Sequence, residues 1–399
     1  SNTYRDDCGH GTHVTSIVAN DEASGTGDFN GVATEADLVI VKAFDADGQG
    51  TYADVIRGLD WVVTNKDAYG IRVLNLSFSA PPQSYYWDDP LNQAVMEAWR
   101  SGIVVVASAG NLGPDPMTIG VPGNVPYVIT VGAMTDKFTP EDATDDVLAS
   151  FSSAGPTVEA FIKPEMVAPG GHLLGTMQRK SRIAKQHPEF YDNKSYFMMS
   201  GTSQAAAAVS GVAALMLHAD PTLTPDDVKC RLMASARPAV DEDGSLAYSI
   251  FQQGAGLINA YDAVHSTATG CANQGLDIDL DLAGVEHYAG LARQAEDGTY
   301  HILGPDGFVW SDGFVWSDGF VWSDGFVWSD GFVWSDGFVW SDGFVWSDGF
   351  VWSDGFVWSD GFVWSDGFVW SDGFVWSDGF VWSDGLVEPA AINVWVDQE

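Results

Sequence analysis

Apolar and polar positions alternate in two distinct rhythms up to about residue 265, and a third rhythm takes over near the C-terminus. In the first part, short continuous apolar runs are separated by longer stretches of helical spacing. The runs are Ala36–Phe44 (ADLVIVKAF), Arg72–Phe78 (RVLNLSF), Ile103–Ser108 (IVVVAS) and Tyr127–Ala133. Strands apolar on both faces belong in a parallel sheet covered by helices on each side. Between them the spacing predicts a helix from His10 with Val14, Ile17 and Val18 inward. Thr51 caps another, with Asp54 three residues on and Val55, Leu59, Val62 and Val63 inside. Pro90–Arg100 reads as amphipathic, and Thr224-Pro225-Asp226-Asp227 supplies a cap, an initial proline and first-turn acids. The stretch from Phe197 to Leu217 is almost all Ala, Val and Leu after a polar turn, and Asp220-Pro221 ends it. Small apolar residues on every face suit a helix buried all round. The expected fold class is α/β, a doubly wound and mostly parallel sheet.

The third rhythm is a repeat. From Gly307 to Asp384 the hexapeptide Gly-Phe-Val-Trp-Ser-Asp occurs 13 times without variation, over 78 residues. A six-residue period implies a repetitive, solenoid-like all-β region, with Phe-Val-Trp as strand and Ser-Asp-Gly as turn. Phe and Trp share one strand face and Val takes the other, and the larger apolar area predicts that the rings point inward. The expected organisation is a domain over 1–265, a polar acidic linker or small satellite over 266–303, the repeat region over 304–385, and a cap over 386–399.

Charge and cysteine content narrow the functions open to this chain. Its 399 residues exceed one average domain. Acids number 55 against 17 bases, which argues against a nucleic-acid partner. The repeats carry 13 of the acids, and the remainder still has a net charge of −25, a balance that suits a secreted protein in salt or calcium. Three cysteines, Cys8, Cys230 and Cys271, leave at least one without a partner in the chain. Outside the helix after Ser203 no apolar run approaches the length of about 18 residues that a membrane span needs. The chain opens on Ser-Asn-Thr-Tyr, with neither Met nor a signal-peptide pattern.

The candidate chemistry lies in three short stretches. Ser200-Gly201-Thr202-Ser203 places Ser203 in the first turn of the buried helix, where backbone N–H groups have no intrahelical partner. A serine there can attack a carbonyl while its own N–H holds the oxyanion. Alone, the pattern is a Ser/Thr cap on a core helix. Cys8-Gly9-His10-Gly11-Thr12-His13-Val14 adds a histidine at the start of a helix, and Ser108-Ala109-Gly110-Asn111 ends a buried strand on an asparagine. Base, amide donor and nucleophile follow in the order His, Asn, Ser. The words HGTHV, SAGN, FSSAGP (151–156), KPEMVAPG (163–170) and SGTSQAAAAVSG closely resemble the subtilisin-like serine peptidases (subtilases) over about residues 6–265.

The resemblance implies a serine endopeptidase working through an acyl-enzyme. Ser203 attacks, His10 takes its proton, and Asn111 with the Ser203 N–H holds the oxyanion. It further implies a substrate-binding wall at Ser77, Phe78 and Ser79, a facing segment at Ala109 and Gly110, and a pocket floor at Gly120. Two positions depart from the family pattern: Ser79 stands where a glycine is usual, and Gln204-Ala205 where Met-Ala is usual. Gly120 and Leu112 predict preference for a large apolar or aromatic residue before the cut. Subtilases carry their catalytic aspartate upstream in an Asp-[Ser/Thr]-Gly word at a strand end, and nothing before His10 fits that word. Asp6 and Asp7 belong to the loop before the histidine helix, so the chain reads as an N-terminally truncated fragment without the aspartate strand. His13 lacks the glutamate of a zinc site and reads as a hydrogen-bonded structural residue. No metal ligand is assigned and no cofactor is needed for catalysis. Asp45–Gly50 starts like a calcium loop but reads better as a turn, which leaves a structural calcium open. Expected partners are protein or peptide substrates and, for the repeats, a surface or glycan, in an extracellular or cell-surface setting. The alternative is a surface-binding or structural repeat protein carrying an inactive subtilase relic.

Overall fold

The computed structural model describes residues 5–22, 31–139, 145–192, 194–241, 246–295 and 298–302, with strand segments between 314 and 387. The chain divides into two compact units, residues 1–290 with 385–399, and residues 291–384.

The first unit is built on a parallel sheet. Strands β1 (Val73–Leu76), β2 (Val104–Ser108), β3 (Ile129–Thr135) and β5 (Met166–Pro169) pair side by side in that order. Val73 stands opposite Val104, Val106 opposite Ile129, and Val131 opposite Met166. The short β4 (Val147–Leu148) runs antiparallel on the end of β3. Every residue of β2 and β3 is buried, as continuous apolar runs in a covered sheet require. Helices α1 (His10–Ala19), α2 (Tyr52–Tyr69), α3 (Pro90–Arg100), α4 (Thr202–Ala219), α5 (Pro225–Ser235) and α6 (Ala260–His265) cover it. Thr51 accepts from the Asp54 N–H at the start of α2, and Asp89 caps α3 ahead of Pro90. Thr224 and Asp227 form a reciprocal capping box on α5. The central helix α4 packs against all four parallel strands. Gly211 lets the loop after α1 approach this helix closely: a Cβ there would lie 2.6 Å from Val32.

One predicted strand is not a strand. Residues 36–44 run without a ladder partner among the described residues, and Leu38 and Ile40 are 48% and 66% exposed. A strand exists only through its neighbours. Among the described residues no strand pairs with the outer side of β1, so the apolar run has no sheet edge to join.

The acidic stretch after 265 contains a packed element. Helix α7 (Ile278–Leu282) buries Asp281, which accepts from Tyr86 Oη at 2.6 Å, from Tyr127 Oη at 2.9 Å and from His287 Nδ1 at 2.7 Å. A buried carboxylate is tolerable because donors converge on both its oxygens. The Cys230–Cys271 disulfide ties the same stretch to α5, and Cys8 is free and buried. No helix among the described residues is long and apolar enough to cross a membrane.

In the second unit a short antiparallel hairpin joins Ala292–Gln294 to Tyr300–Ile302. Within the repeats, strands of three or four residues alternate between a six-stranded and a five-stranded parallel sheet. Val315 pairs with Val327 and Val321 with Val333, so each strand meets the one two hexapeptides on. The side chains there lie outside the described residues, as does the C-terminal cap after Val387, so the inward-ring expectation falls outside them too.

Candidate active site

Ser203 is the second residue of α4 and is buried. Strand Tyr196–Met199 leads into the Ser200-Gly201 turn, and the helix begins at Thr202. The ends of β1 and β2 frame this first turn. Just past β1, Ser203 Oγ donates to the Ser77 carbonyl at 3.2 Å, and Ser77 Oγ donates to the Ser203 carbonyl at 2.8 Å. Just past β2, Asn111 Oδ1 accepts from Thr202 N at 3.0 Å and from Thr202 Oγ1 at 2.8 Å. The Gly110 N–H donates to Thr202 Oγ1 at 3.2 Å. With its oxygen held this way, the Asn111 carboxamide turns its NH₂ toward the nucleophile turn. A Cβ on Gly201 would lie 3.3 Å from Asn111 Nδ2. A hydroxyl, a side-chain amide and first-turn N–H groups thus converge, a donor set suited to developing negative charge on a carbonyl oxygen.

His10 opens α1. Gly9 before it has φ of 104°, and a Cβ there would meet Ser181 Oγ at 2.7 Å, so both conformation and space call for glycine. Gly9 has no side chain to cap the helix, and Asp6 does so instead. Asp6 Oδ1 accepts from Gly9 N at 2.8 Å, and Oδ2 from Thr12 N at 2.7 Å and Thr12 Oγ1 at 2.8 Å. Burial opposes ionisation of Asp6, but the Gly9 and Thr12 donors outweigh it and hold the carboxyl below its usual range. Burial pulls His10 down to about 4 against the opposing field of Asp6. His10 is therefore neutral at pH 7 and able to accept a proton. Its Nε2 makes no hydrogen bond among the described residues, and Ser203 Oγ is turned to Ser77 instead. No carboxylate among the described residues hydrogen-bonds His10. Hydrogen bonds of this kind are often long or unmade before substrate arrives.

His13 and Gln204 lock the two helices together. His13 is fully buried, with Nε2 2.9 Å from the Phe197 carbonyl. A carbonyl only accepts, so Nε2 carries the proton and Nδ1 accepts from Gln204 Nε2 at 3.4 Å. Burial lowers His13 to about 4. Val14 and Ile17 of α1 pack on Ala207 of α4 beside this link. Gln204, a departure already visible in the sequence, fastens the helix of His10 to that of Ser203.

The space beside Gly120, expected to be open, holds a side chain. A Cβ on Gly120 would collide with Ser79 Oγ, and one on Gly110 would lie 3.2 Å from that same oxygen. The serine hydroxyl therefore occupies space that two glycines would have left open. Ser153 Oγ, not singled out from the sequence beyond its FSSAGP word, crowds Gly110 as well, at 2.9 Å from its Cβ position. Gly120 N donates to the Ala109 carbonyl at 3.0 Å, joining the two segments. The Phe78 side chain is buried against Phe44, with centroids 5.4 Å apart, and Leu112 is 62% exposed. In the turn after residue 44, Asp45 Oδ1 accepts from Asp47 N at 2.8 Å and Gln49 N at 3.0 Å.

Comparison with known proteins finds relatives over the first part of the chain. The profile of the Subtilase family matches residues 1–256. Serine protease AprX of Bacillus subtilis (strain 168) is 42% identical over 264 residues, covering 65% of this chain and 58% of AprX. Subtilisin DY of Bacillus licheniformis is 35% identical over 253 residues, covering 63% of this chain and 76% of its own. The chain thus spans little more than half the length of AprX. Among solved structures, S41 psychrophilic protease and sphericase each superpose with a TM-score of 0.53 at 27% identity, covering 65% of this chain and 80% of theirs. The chain belongs to the Subtilase family of peptidases (peptidase S8).

Proposed function

We propose that the protein is a serine endopeptidase cleaving proteins or peptides through an acyl-enzyme. Ser203 Oγ attacks the scissile carbonyl carbon while His10 Nε2 takes its proton. Asn111 Nδ2 and the Ser203 N–H receive the oxyanion. The proton passes from His10 to the departing amine as the C–N bond breaks, and a water activated by His10 then releases the acyl group. The observation that carries this reading is the Asn111 carboxamide, held by Thr202 with its NH₂ toward the turn that bears Ser203. The acid that would orient His10 is one the described residues do not supply. No cofactor takes part, and a structural calcium ion remains compatible with the acidic surface.

An oxidising, extracellular or cell-surface setting is supported by the Cys230–Cys271 disulfide. The hexapeptide region is read as a β-solenoid that binds a surface or glycan, supported by strand pairing at a twelve-residue step. The bare Nε2 of His10 favours a second reading, a binding protein whose peptidase part is a relic. Hydrolysis of a quenched fluorescent peptide library by the full chain separates the two. Turnover above the rate of Ser203→Ala supports the peptidase, and equal rates support the relic.

A further inference from the structure

We infer that Ser79 sets the substrate class, so that the site takes a small uncharged side chain such as Ala, Ser or Thr on the acyl side of the cut and rejects an aromatic one. The inference rests on the peptidase reading and refines it.

Ser77 exchanges hydrogen bonds with Ser203 in both directions, and Gly110 is bonded to Thr202. The chain segments at 77–79 and 109–111 are therefore the two walls beside the nucleophile. Gly120 closes the space behind them. It is anchored by its bond to Ala109 and by the neighbouring Ala80–Val121 bridge, whose N···O distances are 3.0 and 2.8 Å. Neither Gly110 nor Gly120 contributes a side chain, so the room left for substrate depends on what leans in between them. Two hydroxyls do. Ser153 Oγ accepts from Leu112 N at 3.1 Å and is held in place. Ser79 Oγ lies between the two glycines, against the Cβ positions of both.

Ser79 differs from Ser153 in that its hydroxyl has no hydrogen bond to any described residue. It therefore takes up volume and also offers an unused donor and acceptor. A phenyl ring entering here would have to displace Ser79 Oγ and would desolvate that hydroxyl without replacing its hydrogen bonds, which is unfavourable. A methyl fits without that displacement, and a substrate hydroxyl has a partner to bond. The lining residues Ser77, Phe78, Ser79, Ala109, Gly110, Gly120 and Ser153 carry no charge, so Lys, Arg, Asp and Glu gain no ion pair. The large-residue preference expected from Gly120 and Leu112 is thus replaced by its opposite, because the added hydroxymethyl of Ser79 stands over that glycine.

The test uses two peptidyl diphenyl phosphonates, identical except for Ala or Phe at the position bonded to phosphorus. The full chain is treated with each, and modification of Ser203 is followed by intact mass and peptide mapping. A change of one methylene in such a pocket alters selectivity about 10- to 200-fold. The Ala reagent should therefore modify Ser203 at least about tenfold faster than the Phe reagent. Ser79→Gly should lower that ratio about tenfold or more. Ser79→Ala, which keeps the β-carbon, should lower it by less and covers the case in which the glycine variant does not fold. Faster modification by the Phe reagent, or the same ratio in both variants, would overturn the inference while leaving the peptidase reading intact. Failure of both reagents to modify Ser203 in the unaltered chain would overturn the peptidase reading, and the inference with it.

Discussion

Asn111 is the residue on which the proposed chemistry depends most directly after Ser203 itself. Its oxygen is committed to Thr202, so its NH₂ is aimed without any reorganisation when charge develops. Asn111→Leu should lower kcat about 100- to 1,000-fold with little change in KM, because the lost bond forms only in the transition state. Steady-state kinetics on one peptide substrate checks this, and a fall carried by KM would contradict it. His10 and His13 carry a second expectation. Both are lowered to about 4 by burial, so below the ordinary histidine value near 6.5 the unfolded chain binds protons that the folded chain refuses. Their contribution to stability is complete above about pH 6.5 and is lost as pH falls toward 4. Urea midpoints measured across that window should fall more steeply for the unaltered chain than for His10→Ala. Parallel curves would contradict the assignment.

At the level of elements, β3 and β5 meet over a buried charge cluster. Lys163 Nζ lies 2.7 and 2.9 Å from the two oxygens of Glu165, and Lys229 Nζ lies 2.8 Å from Oε1. The Thr130 N–H of β3 donates to Oε2 at 2.7 Å. Burial brings Lys163 down to about 7 against the pull of Glu165, with Lys229 adding to the fall. Burial also opposes ionisation of Glu165, but the two lysines hold its carboxyl below its usual range. Glu165→Gln removes the counter-charge of two buried ammonium groups, which keep only the carbonyls of Pro126, Tyr127 and Val128 and Asn273 Oδ1, and should cost about 3–5 kcal/mol in urea unfolding. A loss under about 1 kcal/mol would mean that those neutral acceptors suffice without the carboxylate. The KPEMVAPG word was legible as a motif, but the cluster was not, because Lys229 arrives from α5, far downstream in the chain. The same contrast runs through the fold. Continuous apolar runs located β1, β2 and β3 within a residue or two, since burial on both faces is written into composition. The run at 36–44 has the same composition and forms no strand, because pairing depends on a neighbour that its own residues do not encode. Ser203, His10 and Asn111 were singled out from short words, whereas the approach of Ser79 Oγ to Gly120 was not. Ser79 and Gly120 are distant in sequence, and the closeness of the Ser79 hydroxyl to Gly120 exists only once both segments are placed.

The whole molecule joins an α/β unit to a run of identical repeats, and the acidic stretch between them belongs in part to the first. Within the stretch expected to be a polar acidic linker or small satellite, Asp281 is buried between two tyrosines and His287. Composition cannot separate the two roles, because an aspartate in a linker and one at a buried junction read alike. The Cys230–Cys271 bond closes a separation of 41 residues and fixes this stretch to α5. Cys271→Ser should lower stability by about 2–4 kcal/mol, chiefly through a less constrained unfolded chain, and reducing agent should do the same to the unaltered chain. Thermal unfolding with and without reductant checks this, and equal midpoints would contradict it. The proposed catalysis requires α1 and α4 to be held together, and His13, Gln204 and Ala207 link them. Covalent trapping reads the reactivity of Ser203 itself, without the later acyl-transfer step. The most direct test of the central claim is therefore covalent rather than kinetic: treatment of the full chain with a fluorophosphonate, followed by peptide mapping. The account predicts one modified residue, Ser203, with modification lost in Ser203→Ala and strongly slowed in His10→Ala. A chain that stays unmodified, or one in which His10→Ala reacts as fast as the unaltered protein, would contradict it.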